Sequence, residues 1–154
     1  MNDATASAGN TYPNNAQGWG RLVLDDSLYL SAGTPDVRKL WVVDERTGLT
    51  TGDAIDYRIR LSSNATSLRI VLVWSDYPAL PSASPAIVNN LNLLVVSPSS
   101  SAYKGNVFGT FAQAESIPNA GSFDTRNTME ALLRERLKDR LREDQDAIFG
   151  KGDK

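Results

Sequence analysis

The chain contains neither cysteine nor histidine. Without cysteine there is no disulfide and no thiolate-held metal, which suits a cytosolic protein or a secreted bacterial one equally. Without histidine there is no Ser-His-Asp triad, no imidazole general base and no His-ligated zinc within this chain. Nor does any apolar run approach the roughly 20 residues that a membrane-spanning helix requires. The opening MNDATASAGN has no basic segment followed by an apolar one, so it does not read as a signal peptide. A net charge of -2 argues against nucleic acid or an anionic membrane as the main partner, since both require a basic surface.

What is present suits a globular domain. The 154 residues are 41% hydrophobic and 22% charged, enough for one core with room for an appendage. The strongest pattern lies at residues 68–74 (LRIVLVW), an apolar, β-branched run closed by the turn chemistry of Ser75-Asp76-Tyr77-Pro78. Leu68, Ile70, Leu72 and Trp74 fall on one face; Arg69, Val71 and Val73 fall on the other. With both faces apolar apart from Arg69, the pattern predicts a central strand covered on both sides. Residues 91–96 (LNLLVV) predict a second apolar strand. Between the two, residues 77–85 hold three prolines and read as a crossing loop.

Upstream, residues 37–44 (VRKLWVVD) predict a strand with Trp41 in the core. Residues 53–61 alternate, with Ile55, Tyr57, Ile59 and Leu61 facing inward and Asp56, Arg58 and Arg60 facing water. Residues 102–108 predict a short strand, and residues 109–125 a long excursion. Residues 1–20 read as a leader anchored by Trp19 between two glycines, and residues 21–130 as the β domain. Strands at such spacing favour an all-β antiparallel sandwich or jelly roll. Residues 131–154 read as a charged α-helical tail: residues 130–149 lack Gly and Pro, and Leu133, Leu137 and Leu141 form a stripe at helical spacing.

Five stretches, taken in order, resemble a known family. They are Asn14-Asn15-Ala16-Gln17-Gly18-Trp19-Gly20-Arg21-Leu22; Leu72-Val73-Trp74-Ser75-Asp76-Tyr77-Pro78; Val88-Asn89-Asn90-Leu91-Asn92-Leu93; Tyr103-Lys104-Gly105-Asn106-Val107-Phe108; and Asp124-Thr125-Arg126-Asn127-Thr128-Met129-Glu130. Together they resemble the C-terminal β-sandwich of subtilisin-like serine proteases, a jelly roll related to the P domain of proprotein convertases. The resemblance implies an extracellular parent protein that hydrolyses peptide bonds, with this chain as its non-catalytic accessory domain. It also implies contact with the catalytic domain through the Trp19 region. Where family members often read Asn-Asp-Leu-Asp-Leu, this chain has Asn89-Asn90-Leu91-Asn92-Leu93. Those aspartates resemble calcium ligands, and asparagine keeps the carbonyl oxygen while losing the charge. The family usually continues with further strands after Glu130. The charged tail standing there marks either a truncated or spliced product, or a cover for an open sheet edge. An open edge or the tail itself would then support a homo-oligomer.

The candidate ligands for calcium are Asp76, Asn90, Asn92, Asn106, Asp124 and Glu130, all oxygen donors, several at strand ends. The plainer reading is that Asp76 and Asp124 begin turns while the asparagines satisfy local backbone groups. Trp19, Trp41 and Trp74 make either core or a platform for sugar or peptide. Ser75 beside Asp76 has no base to activate it, so no catalytic residue is expected in this chain. A stand-alone protein- or carbohydrate-binding module, or an inactive self-associating fragment, are the alternatives.

Overall fold

The computed structural model describes Gly18 and residues 40–61, 67–109, 115–135 and 146–151, with residue 135 and residues 146–151 described by backbone alone. The chain divides into two compact units, Met1–Thr47 with Gly109–Ala114, and Gly48–Phe108 with Glu115–Lys154. Trp19, the sequence 21–30 and tail residues 136–145 lie outside the described residues.

Among the described residues, the second unit carries six strands: β1 (Tyr57–Arg60), β2 (Ser67–Val73), β3 (Asn92–Val96), β4 (Ala102–Lys104), β5 (Met129–Glu135) and β6 (Asp146–Lys151). The alternation of residues 55–61 is realised, with Tyr57 and Ile59 half-buried and Arg58 and Arg60 exposed. β2 and β3 fall within a residue of the expected apolar runs. Strand β4 stops at its third residue, Lys104, and Phe108 instead makes an isolated bridge to Ser116.

The expected antiparallel sandwich or jelly roll with a C-terminal α-helical tail does not form. The described residues make a four-stranded antiparallel sheet, ordered β1-β6-β3-β4, and a two-stranded ribbon, β2-β5. A jelly roll needs about eight strands in two layers, and a ribbon of two is not such a layer. Nor is there a helix among the described residues. The segments Met129–Glu135 and Asp146–Lys151, read as parts of the tail helix, are strands. Helix propensity is worth only tenths of a kcal/mol per residue. Against that, β5 pairs with β2 along its whole length, from Ser67↔Glu135 to Val73↔Met129, and places Ala131 and Leu132 at 0% exposure. Pairing and burial outweigh the local preference.

The core is small. Leu93, Val95, Tyr103 and Leu132 are buried together, with Tyr57, Ile59, Ile70 and Leu72 packed against them. β2 therefore contributes one face only. Val71 and Val73, expected under cover, are exposed, Val73 by 65%. Their β-branched shape suits an extended backbone even where nothing buries them. Strand β6 bonds β1 on one side and β3 on the other, with a register irregularity between Asn92 and Val95.

In the first unit, Leu40–Val43 form no strand, and Trp41 exposes 58% of its surface instead of lying in the core. Apolar content alone does not make a strand, which also needs a continuous ladder of backbone hydrogen bonds along its length.

Candidate functional site

Strand β2 ends at a carboxylate that organises the loop beyond it. Asp76 Oδ1 accepts from the Tyr77 N–H (2.8 Å), the Asn89 N–H (2.9 Å) and Asn89 Nδ2 (3.0 Å). Asp76 Oδ2 accepts from the Val88 N–H at 2.6 Å. Trp74 completes the bracket, its indole Nε1–H donating to the Asn89 carbonyl at 2.9 Å. Partial loss of water pushes the Asp76 carboxyl upward, but the hydrogen bonds from Val88, Asn89 and Tyr77 outweigh that and hold it below the ordinary value. The proline-rich crossing is thus pinned at both ends by one side chain. Trp74 is half-buried, and its polar edge is satisfied by this contact.

The second cluster forms on the outer edge of β5. Asn106 adopts a positive φ of 57°, a conformation asparagine tolerates better than most residues. From there its backbone N–H donates to the Ala131 carbonyl (2.9 Å), and its Oδ1 accepts from the Ala131 N–H (3.0 Å). Asn106 Nδ2 donates both to the Met129 carbonyl (2.9 Å) and to Asp124 Oδ2 (2.6 Å). Two residues further along β5, Ser116 repeats the device: its N–H donates to the Leu133 carbonyl (2.8 Å), and its Oγ accepts from the Leu133 N–H (3.0 Å). Ser116 was not singled out in the sequence. It sits in the weakly patterned segment 109–125, and its bonds to Leu133 and its bridge to Phe108 place it.

Asp124 is well supplied with donors. Besides Asn106, it accepts from the Arg126 N–H (2.8 Å) and Asn127 Nδ2 (2.6 Å). Burial pushes this carboxyl upward, and the bonds from Asn127, Asn106 and Arg126 bring it below its usual range.

Glu130 has the opposite surroundings. It is 0% exposed, and one oxygen, Oε2, accepts from the Leu93 N–H at 2.6 Å. The other, Oε1, is buried without a hydrogen-bond partner. Burial raises the carboxyl to about 7, the Leu93 N–H opposes this, and the negative charge of Asp124 adds to it. Gly105 makes the position possible, because a Cβ there would stand 2.6 Å from Glu130 Cβ. The hydrogen bond to Leu93 ties β5, in the ribbon, to β3, in the sheet. A carboxyl near 7 has a proton-transfer value suited to catalysis. At 0% exposure, however, no substrate atom reaches it.

Asn90 and Asn92, the remaining candidate ligands, bond to each other, Asn90 Nδ2 donating to Asn92 Oδ1 at 2.9 Å. Asn90 Oδ1 is buried without a partner. Hydrogen bonds thus join Asn106 to Asp124 and Asn90 to Asn92, while Asp76 engages the loop backbone. Among the described residues, no three acidic, histidine or cysteine side chains stand together closely enough to hold a metal ion. No helix among them is long and apolar enough to cross a membrane. In comparison with known proteins, no family model and no curated protein matches the chain.

Proposed function

We propose that this chain is a non-catalytic accessory domain of a subtilisin-like serine endopeptidase acting outside the cell, and that it braces the catalytic domain. The observation that supports this is the convergence of four of the five motif stretches. Trp74 and Asp76 bond to Asn89, Leu93 bonds to Glu130, Gly105 lies against Glu130, and Asn106 bonds to Asp124 and Met129. Stretches up to 37 residues apart are bonded directly to one another, which is compatible with their forming one folding unit. Their side chains serve the backbone, and with no histidine in the chain the triad belongs to another part of the parent protein.

The test is the longer polypeptide. A reading frame that encodes an Asp, His and Ser triad domain beside this segment supports the proposal, and a frame without one overturns it. Deleting residues 21–154 from that polypeptide is expected to shorten the half-life of casein hydrolysis on heating. An unchanged half-life removes the bracing role. For calcium, Asp76 and Asp124 already accept several donors, whereas Glu130 Oε1 and Asn90 Oδ1 have none. A rise in Tm with millimolar calcium, lost in Glu130→Gln, supports an ion at Glu130; a Tm that calcium does not move ends that part of the proposal.

One observation favours a second reading, a stand-alone protein- or carbohydrate-binding module: the 58% exposure of Trp41. Glycan-array binding lost in Trp41→Ala would select it over the accessory domain.

A further inference from the structure

We draw no further inference here: the strongest candidate, the exposed apolar face of β2 at Val71 and Val73 with Tyr77, Leu80 and Val88 exposed on the loop beyond it, carries nothing because nothing in the structure shows what covers it.

Discussion

Asp124 and Glu130 are six residues apart and partly share surroundings, yet their carboxyls move in opposite directions. Both lose water. Asp124, at a loop end, collects hydrogen bonds from two asparagine side chains and a backbone amide. Glu130, within a strand, has its own backbone engaged in the ladder and finds only the Leu93 amide for its side chain. Loops leave N–H groups free to turn toward a carboxylate, while strands have already committed theirs to neighbours. Deeper burial and fewer donors act together to keep Glu130 protonated, while shallower burial and more donors keep Asp124 ionised.

The largest effect is expected from Asn106→Ala. It strips Asp124 of one donor and removes the side-chain partner of the Ala131 N–H, at 0% exposure, together with that of the Met129 carbonyl. Urea unfolding should register a loss of about 3 kcal/mol. A loss under about 1 kcal/mol would mean that water replaces the amide freely.

Next comes the pH dependence. Glu130 rises from 4.5 to about 7 on folding, so the folded state holds its proton more tightly. The favourable balance is therefore complete below about pH 4.5 and is lost as pH climbs through about 7. A shift of that size corresponds to a loss of about 3 kcal/mol. Glu130→Gln should flatten this slope in denaturation curves taken between pH 5 and 8, and an equal slope in the variant would assign it elsewhere.

Asp76 has the contrary sign, since its folded carboxyl is held low and its contribution disappears only in acid. Asp76→Ala should release the crossing loop without unfolding the sheets. Limited proteolysis is expected to nick between Tyr77 and Ile87 several-fold faster, and cutting spread over the whole chain would contradict a local role. The smallest effect belongs to Val73→Thr on the exposed face of β2, where thermal unfolding should shift by no more than about 0.5 kcal/mol. A larger loss would show that this face is covered in solution.

The strands that could be read in advance were those whose patterns stand alone. Tyr57 and Ile59 alternate with two arginines, and the apolar run at 68–74 ends at an unmistakable turn. Trp41 misled because apolar content marks what a strand would bury, but leaves open whether the backbone there enters a ladder. The tail misled for a related reason. Leu133 lies on a helical stripe with Leu137 and Leu141, but its backbone bonds to Ser116, a residue with no periodic context. The candidate site was legible as a set of residue types. Asn106 and Asp124 do come together, and Asp76 does bond backbone amides, those of the crossing loop. The tie from Glu130 to Leu93 could not be read, since it depends on two strands 37 positions apart coming into register.

In β5 the outward carbonyl of Met129 and the outward amides and carbonyls of Ala131 and Leu133 are occupied by two residues that belong to no strand, Asn106 and Ser116. A wandering peptide arriving on that flank finds its docking points taken by short polar stoppers that offer no continuing ladder. No added strand can run its ladder through those positions while they are held, so one amide side chain and one hydroxyl guard that stretch of the edge.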